Sequence, residues 1–399
     1  MPFEHVVVVM MENHSFDNLL GDLGRTRTDV DALTFADERA TNTNPGTGSD
    51  QVAAYPLTDT SQANDITQSW RATHEQIDGG AMDGFVRSER GKTEAMGYYT
   101  ADILPFAYSL AETFTLANRW FCSVPGPTYP NRRFLMAGTA FGGTATNPGE
   151  ILDALETPPP NGTIFDRLSD RHISWCNYFT DLPLTAVIPS TIIDHLDHHR
   201  PRGRFFEDCE AGTLPAVSFV DPGMGPLSSI ANSVNELPRL VKMMCDRLDP
   251  GETQEDPDDM FYGERWAYEV VEAVTRSPAW ERTLLIYTYD EHGGYYDHVP
   301  PPAAPIPDDI PPKLGAEDPP GDYGSYGPRV PAIVVSPYSK PGGVTDVVHD
   351  HTTILATIEH KWNLPALTNR DANAATVMDF LDTSQAPRLP PPLVAPSRS

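Results

Sequence analysis

The feature that most constrains the fold of this chain is a pair of apolar runs that each end in acidic side chains. The valine-rich run His5 to Met11 is followed directly by Glu12 and Asn13, and a second apolar run ends at Asp290 and Glu291. Apolar runs of this length, bounded by Gly and Pro, predict buried strands. Ligands of open α/β sheets bind beyond the carboxyl ends of such strands. We therefore expect these polar side chains to meet at one edge of a sheet.

Predicted strands and helices alternate along most of the 399 residues. Further strands are predicted at 120–124, 173–179, 214–222 and 330–337, and helices at 105–114, 164–168, 264–276 and 354–362. This alternation predicts a single α/β sandwich with a mainly parallel central sheet. The run 330–337 is expected to be one more parallel strand.

Composition predicts the domain organisation. Residues 1–385 are expected to form one domain, with a polar insertion at about 22–69 and a proline-rich lid at about 300–326. Segments rich in Gly, Pro, Asn and Thr are typical of surface loops. Residues 386–399 hold several prolines and no periodic pattern, which predicts a disordered or loosely docked tail.

The charge balance excludes several kinds of partner. The 56 acidic residues outnumber the 28 basic ones, which gives a formal net charge of −28. Such a charge argues against binding to nucleic acid or to an anionic membrane. No apolar run approaches the ~20 residues of a membrane-spanning helix, and no signal peptide is visible. We therefore expect no transmembrane segment and a cytoplasmic location, while the oligomeric state stays open.

The cysteines give no sign of a zinc site. The chain has four of them, Cys122, Cys176, Cys209 and Cys245, and their spacing contains no CxxC pair. We expect buried thiols, with a disulfide as the open alternative.

A helix start with an unusual composition follows the predicted strand 120–124. Thr128 fits an N-cap, and Pro130 falls in the first turn, where a missing N–H group costs nothing. The free N–H groups and the helix dipole make such a position an anion site. Two interpretations stay open: the Thr128 hydroxyl is a nucleophile that attacks phosphate, or it only caps the helix.

The polar residues near predicted strand ends form one set with a common chemistry. Its members are Glu12, Asn13, Thr128, Asp290, Glu291, Asp297, His298, His349 and His351. Hard oxygens dominate and no thiolate is present, which suits one or more divalent ions of Ca, Mg, Mn or Zn. A hydroxyl beside a divalent cation becomes a stronger nucleophile. Phosphoryl transfer needs a nucleophile, positive charge and a proton for the leaving group, which Thr128, a metal with Asn13, and His298 or His351 would supply.

Four sequence motifs resemble those of a known family. The stretch 12–17, Glu-Asn-His-Ser-Phe-Asp, resembles the E-N-x-S-F-D opening of the bacterial phosphoesterase family, which includes phosphatidylcholine-type phospholipases C and a related respiratory-burst-inhibiting acid phosphatase. The stretches 96–99, 128–132 and 289–299 are similar to its other signatures, and Leu-Pro-Ala-Val-Ser at 214–218 falls between the last two. The resemblance spans residues 5 to about 371, in order.

The resemblance implies an alkaline-phosphatase-like, three-layer α/β/α sandwich whose catalytic domain is residues 1–385. It implies that Thr128 attacks phosphorus and forms a phospho-enzyme that water then hydrolyses. The implied metal ligands are Glu12, Asn13, Thr128, Asp290 and Glu291. Phosphate binding is implied for Asn13, Asn131 and His298, and leaving-group protonation for His298 or His351. The substrate would be a small-molecule or phospholipid-headgroup phosphate ester.

The chain also departs from the family pattern at two places. Gln68 precedes Trp70 where the family often has a histidine before an aromatic residue, and Asp256 stands where the family often has His-Pro. The alternative hypothesis is therefore a catalytically weak, metal- or phosphate-binding relative. The C-terminal modules of the secreted phospholipases are not seen, which favours an ester with a soluble or small headgroup. The sequence does not choose between monoester and diester.

Overall fold

The structure is a computed structural model that describes residues 1–60, 66–223 and 259–396. The strands are β1 His5–Met11, β2 Phe35–Ala36, β3 Arg39–Ala40, β4 Thr43–Pro45, β5 Gln51–Ala53, β6 Tyr55–Pro56, β7 Gly97–Tyr98, β8 Thr115–Ala117, β9 Trp120–Phe121, β10 Trp175–Phe179, β11 His199–Pro201, β12 Val217–Asp221, β13 Thr283–Tyr289, β14 Ala332–Val335, β15 Val344–Thr345 and β16 His349–Asp350. The helices are α1 Phe16–Leu20, α2 Trp70–Ile77, α3 Phe85–Ser88, α4 Pro105–Thr113, α5 Thr128–Ala137, α6 Pro148–Glu156, α7 Ile164–Asp170, α8 Pro189–Asp194, α9 Arg202–Ala211, α10 Met260–Arg276, α11 Thr352–Trp362 and α12 Asn369–Ala372. Among these helices, none is long and apolar enough to cross a membrane.

Eight strands form one central sheet in the order β11-β10-β12-β1-β13-β14-β8-β15. Neighbouring strands are parallel except around β14, which runs antiparallel to both β13 and β8. The predicted α/β fold with a mainly parallel sheet is confirmed, but the expectation that 330–337 is parallel was wrong. Parallel neighbours need a crossover, usually a helix. Residues 290–331 contain no helix, so the chain returns alongside β13 in the opposite direction.

Helices cover both faces of the sheet. Phe165 of α7 packs against Phe219 of β12, whereas Phe106 of α4 packs against Tyr287 of β13. Phe219 and Ile286 both pair with Val8 of β1, so the side chain of Tyr287 points to the opposite face from Phe219. Every residue of β13 is buried, as expected for a strand covered on both sides.

The predicted insertion at 22–69 is more ordered than its polar composition indicates. Its described part contains β2 to β6, and β6 pairs with β7 outside the insertion. Leu33 and Ile66 are buried in a small apolar cluster with Phe85 and Tyr98. The short hairpins supply few apolar residues, so this cluster is completed only by residues from farther along the chain.

The predicted lid and tail are both attached to the body at defined points. In the lid, the Pro319 carbonyl accepts a hydrogen bond from the Trp70 indole, and the Tyr323 hydroxyl donates to the Gly143 carbonyl. In the tail, the Arg388 carbonyl accepts from the Trp280 indole at 2.8 Å. The described part of the tail, 386–396, contains no helix or strand.

Three of the four cysteines, Cys122, Cys176 and Cys209, are buried free thiols. The expected buried thiols are confirmed for these three, and Cys245 lies outside the described residues.

Candidate active site

The carboxyl ends of the two strands identified from the sequence lie side by side. The last residue of β1, Met11, pairs with Tyr289, the last residue of β13. The next residues on the two strands therefore leave the sheet together, and the Asn13 N–H donates to the Asp290 carboxylate at 3.2 Å. Glu12, Asn13 and Asp290 are all buried. The expectation that these residues meet at one edge of the sheet is confirmed.

A glycine allows the two strand-end loops to touch. Gly293 has a φ of +66°, and a Cβ placed there would lie 1.9 Å from the Asn13 carbonyl oxygen. A residue with a side chain would be strained in this conformation and would also push the loops apart. Gly293 therefore keeps the backbone of Asn13 in contact with the loop that carries Asp290.

A third strand end contributes a carboxylate that the sequence analysis did not include. Asp221 ends β12, the other parallel neighbour of β1. It is buried and accepts hydrogen bonds from the Asn177 amide at 2.6 Å and the Leu184 N–H at 2.9 Å. Burial raises the pKa of Asp221 to about 6, although the nearby charge of Arg132 acts in the other direction.

The guanidinium of Arg132 joins the strand ends to helix α5. Its Nη2 lies 3.1 Å from Glu12 Oε1, and its Nε lies 3.0 Å from Asp290 Oδ2. All three side chains are at most 1% exposed. Burial alone would lower the pKa of Arg132, but the charges of Asp290 and Glu12 raise it, so the guanidinium stays charged. Sequence analysis missed this role, although Arg132 stands four residues after Thr128, one helical turn away.

Thr128 is the first residue of α5, not its N-cap as predicted. The extended residue Pro127 occupies the cap position. The alternative in which the Thr128 hydroxyl only caps the helix therefore loses its basis. Residues four apart on a helix share a face, with Cβ atoms roughly 5–6 Å apart. Thr128 thus lies one turn from the guanidinium that contacts both Glu12 and Asp290.

The Asn131 side chain fixes the loop in front of Thr128. Its amide donates to the Gly126 carbonyl at 2.8 Å and to the Pro127 carbonyl at 3.1 Å, and its oxygen accepts from the Val124 N–H at 3.1 Å. These contacts give Asn131 a positioning role for the start of α5. The phosphate binding implied for it stays a prediction.

Two observations bear on the predicted metal site. Asn13 Oδ1 is buried and has no hydrogen-bond partner among the described residues. A buried carbonyl without a partner costs about 1–3 kcal/mol, which a cation would offset. Glu12 and Asp290 offer carboxylate oxygens, the ligands that Ca²⁺, Mg²⁺ and Mn²⁺ prefer. Arg132 pairs with both of them, and together with Glu291 they do not form a group of donor atoms within 4.8 Å among the described residues.

His351 lies directly under the loop that carries Asp290. Its Nε2 is 2.6 Å from the Asp290 carbonyl oxygen, and the Trp120 indole donates to its Nδ1 at 3.4 Å. Burial lowers the pKa of His351, which keeps the ring neutral. His349 is also buried, but it contacts Thr353 and Asp379. These contacts are structural ones.

His298 belongs to a different set of contacts, on the α1 side of the site. Its Nδ1 lies 2.7 Å from Asp17 Oδ2 and its Nε2 lies 3.1 Å from Asp31 Oδ1. Burial by itself would lower the pKa of His298, but the charge of Asp17 and the hydrogen bonds to Asp17 and Asp31 outweigh it and raise the pKa to about 10. The carboxylates that orient His298 are therefore Asp17 and Asp31, and not the adjacent Asp297.

Asp17, Asp297 and His298 form the one group of metal-ligand type within 4.8 Å among the described residues. Arg329 already pairs with both carboxylates: its Nε lies 2.8 Å from Asp297 Oδ1, and its Nη2 lies 3.3 Å from Asp17 Oδ1. The guanidinium and the imidazolium balance the two negative charges. We therefore interpret this group as a closed ion network that holds His298 in place.

The raised pKa of His298 predicts a pH-dependent contribution to stability. The pKa in the folded protein lies above the ordinary value of about 6.5. The contribution is therefore fully present below about pH 6.5 and is lost as the pH rises towards 10. We expect His298→Gln to lower the free energy of unfolding by about 1–3 kcal/mol at pH 7 and by less at pH 10, as measured by urea denaturation.

The exposed His360 on α11 supplies the matched control. His360→Gln should leave both the stability and its pH dependence unchanged. If His298→Gln loses the same free energy at pH 7 and at pH 10, the imidazolium does not stabilise the network.

A pocket of about 370 Å³ opens next to the start of α5. Its lining consists of Gln68, Ser69, Trp70, Pro127, Thr144, Ala145, Thr146 and Asp318. Thr146 Oγ1 accepts a hydrogen bond from the Tyr129 N–H at 3.1 Å, which ties the pocket wall to the first turn of the helix. Gln68, one of the two departures noted in the sequence, therefore lies in this pocket. The other, Asp256, lies outside the described residues.

Comparison with known proteins identifies the family of this chain. A model of the Phosphoesterase family matches residues 3–365, so the chain belongs to that family. Non-specific phospholipase C6 of Arabidopsis thaliana is 30% identical over 423 residues, which cover 99% of this chain and 75% of that protein. Phospholipase C B of Mycobacterium tuberculosis (strain ATCC 25618 / H37Rv) is 29% identical over 417 residues, 95% of this chain and 77% of that protein.

Family membership makes the chain a hydrolase of phosphoric esters. Among solved structures, a member of the alkaline phosphatase superfamily from Vibrio parahaemolyticus covers 95% of this chain and 72% of its own, at 9% identity and a TM-score of 0.43. Similarity at that level carries no argument about the reaction. The resemblance to the phosphoesterase family predicted from the motifs is confirmed.

Proposed function

We propose that this chain is a phospholipase C-like phosphodiesterase that depends on a divalent metal and works through a covalent phospho-Thr128 intermediate. One observation carries the proposal: α5 places Thr128 one turn from Arg132, which contacts both Glu12 and Asp290. The relatives named phospholipase C support a diester substrate.

The surroundings of Thr128 support its proposed role as the nucleophile. The positive end of the α5 dipole favours the negative charge of a phosphoryl group. Asn131 fixes the preceding loop, so the hydroxyl has a defined place. A bound divalent cation would supply positive charge for the phosphoryl oxygens and lower the pKa of the attacking hydroxyl. The residues that would hold it are Glu12, Asn13, Thr128, Asp290 and Glu291.

In the proposed reaction, Thr128 Oγ1 gives up its proton to solvent and forms a bond to phosphorus, while the bond from phosphorus to the leaving alcohol breaks. The leaving oxygen takes up a proton. Water then attacks phosphorus, which releases the phosphate monoester and restores the Thr128 hydroxyl. Of the two histidines suggested as proton donors, we assign the role to His298. Its raised pKa keeps it protonated at pH 7, whereas burial lowers the pKa of His351.

The first test compares three chromogenic esters: a bis-aryl phosphate, a mono-aryl phosphate and an aryl phosphorylcholine. We expect the two diesters to be hydrolysed faster than the monoester. Removing metal with a chelator should lower turnover at least about 100-fold, because the cation supplies several kcal/mol of charge stabilisation, and adding Mn²⁺, Ca²⁺ or Zn²⁺ back should restore it.

Full activity after exhaustive chelation would exclude the metal. The absence of turnover on every ester, together with tight cation binding by calorimetry, would favour the alternative of a catalytically weak binding relative.

The second test looks for the intermediate. Acid quenching during steady-state turnover of the aryl phosphorylcholine should leave the substituted phosphoryl group on the peptide containing Thr128, as detected by mass spectrometry. The burst of aryl alcohol should match this amount. Turnover with no modified peptide, even after rapid quenching, would indicate direct attack by water.

A further inference from the structure

We infer that Asp31 is a positioning residue for the proton donor His298: its carboxylate holds the imidazole Nε2–H before the diester binds and yields it to the leaving-group oxygen in the complex. This inference rests on the proposed function, because it concerns the proton that the leaving alcohol takes up. It also gives the polar insertion at about 22–69, which carries Asp31, a part in the reaction.

The two ring nitrogens of His298 have different partners. Asp17 Oδ2 lies 2.7 Å from Nδ1 and also accepts a hydrogen bond from the His298 backbone N–H at 2.8 Å. Asp31 Oδ1 lies 3.1 Å from Nε2. Because Asp17 binds the ring and the backbone together, Nδ1 is committed to holding the imidazole in place. Nε2 is therefore the nitrogen that can pass its proton to a substrate.

The two carboxylates also differ in burial. The side chain of Asp17 is 1% exposed and pairs with Arg329 at 3.3 Å, whereas the side chain of Asp31 is 46% exposed. A buried carboxylate that leaves its partners loses their charge without gaining water, but an exposed one is solvated as it turns away. The contact between Asp31 and His298 is therefore the one that opens.

Only the side chain of Asp31 needs to move. Its backbone N–H donates to Asn118 Oδ1 at 2.9 Å, and its carbonyl accepts from Arg329 Nη1 at 2.7 Å. Arg329 also pairs with Asp297, so the backbone of Asp31 is fixed to the same network that holds His298. The carboxylate can thus return to Nε2 after each turnover.

The charged side chains that face the imidazole among the described residues are Asp17, Asp31, Asp297 and Arg329. Burial and Arg329 act to lower the pKa of His298, but the charge of Asp17 and the hydrogen bonds to Asp17 and Asp31 raise it to about 10. Replacing Asp31 by asparagine removes one negative charge and leaves Asp17 in place. The pKa of His298 should then lie between its ordinary value of about 6.5 and the value of about 10 in wild type.

The proton transfers balance over the two steps of the reaction. In the first step, Nε2 gives its proton to the leaving oxygen, and His298 becomes neutral as the alcohol departs. In the second step, the water that attacks phosphorus supplies one proton to Thr128 Oγ1 and the other to Nε2. The imidazolium is then restored, and Asp31 pairs with it again.

The test is the pH dependence of Asp31→Asn on two diesters with different leaving groups. Short-chain phosphatidylcholine releases an alkyl alcohol, which needs a proton to leave, whereas nitrophenyl phosphorylcholine releases nitrophenolate, a weak base that leaves without one. For the lipid, we expect the alkaline limb of kcat/KM to move to lower pH by about 1–2 units. The alkaline limb for the nitrophenyl ester should stay where it is.

The contrast between kcat/KM and kcat tests whether Asp31 gives way. The pH dependence of kcat/KM reports the free enzyme, where Asp31 holds Nε2, and that of kcat reports the complex. Since Asp31 has already yielded in the complex, the alkaline limb of kcat for the lipid should move less than that of kcat/KM. Equal shifts of the two limbs would overturn this step. At pH 6, where His298 is protonated in both proteins, kcat should match wild type.

Asp29→Asn is the matched control. The side chain of Asp29 is 57% exposed and pairs with Arg27 at 2.6 Å. Its pH profiles should match wild type on both esters. A loss in Asp31→Asn that is equal on both esters at every pH would indicate a purely structural role and overturn the inference, as would an unchanged profile for the lipid.

Failure of the proposed function is distinguishable from failure of this inference. If the wild-type protein hydrolyses no ester, the contact is tested by NMR titration of the full chain labelled with ¹⁵N-histidine, with His298→Gln to assign the signal. A pKa of His298 that falls by about 1–2 units in Asp31→Asn and not in Asp29→Asn supports the hold of Asp31 on this proton. The same pKa in wild type and both variants overturns it.

Discussion

Replacing Thr128 with alanine is expected to reduce turnover of a phosphodiester at least about a thousandfold, because removal of a nucleophile leaves only binding and electrostatic contributions. The change should cost little stability. Pro127 occupies the cap position of α5, so the Thr128 hydroxyl is not needed to start the helix. Turnover of the aryl phosphorylcholine and thermal unfolding of the same preparation are the two measurements.

Thr128→Ser is the matched control for this prediction. It keeps a hydroxyl at the first position of α5 and removes only a methyl group, so we expect activity within about tenfold of wild type. Cation binding by calorimetry should survive in both variants, since the carboxylates are untouched. If Thr128→Ala stays within tenfold of wild type while the protein is folded, the nucleophile is another group.

The strand ends of the site were predictable because their signal is local. Polar residues directly follow each of two apolar runs. If the two runs pair as parallel strands, Glu12, Asn13 and Asp290 come together, and β1 and β13 do pair in this way. The motif order added Thr128 from a third segment. Each of these inferences depends on patterns of a few residues, which sequence displays directly.

The long-range side-chain contacts of the site were not predictable from such local patterns. Arg132 reaches carboxylates 120 and 158 residues away, and no local pattern specifies which partner a long guanidinium will take. The ionic partners of His298 come from α1 and from the insertion. The polar composition of the insertion is typical of a surface loop, so it does not indicate that Asp31 pairs with a histidine of the site. The direction of β14 depends on whether the preceding loop contains a helix, so the composition of the strand alone does not give it.

Removing the positive charge of Arg132 is the second change for which we expect a large effect, in this case on stability. Arg132→Met keeps a buried, flexible side chain but removes the cation between Glu12 and Asp290. Breaking a buried ion pair by removing one partner costs about 3–5 kcal/mol, because the remaining charge stays buried without its counter-charge. We expect the metal-free variant to lose about this much free energy of unfolding in urea.

A divalent cation should recover part of that loss, because it would return positive charge to the same two carboxylates. Arg133→Met provides the control on the same helix. Arg133 is equally buried, but its Nη1 pairs with Glu150 at 2.6 Å, away from the strand ends. Arg133→Met should also be less stable than wild type. Added Mn²⁺ or Ca²⁺ should raise the free energy of unfolding of Arg133→Met only as much as it raises that of wild type. If the cation stabilises the two variants to the same extent, then Arg132 and the metal do not share the carboxylates of Glu12 and Asp290, and the proposed position of the metal is wrong.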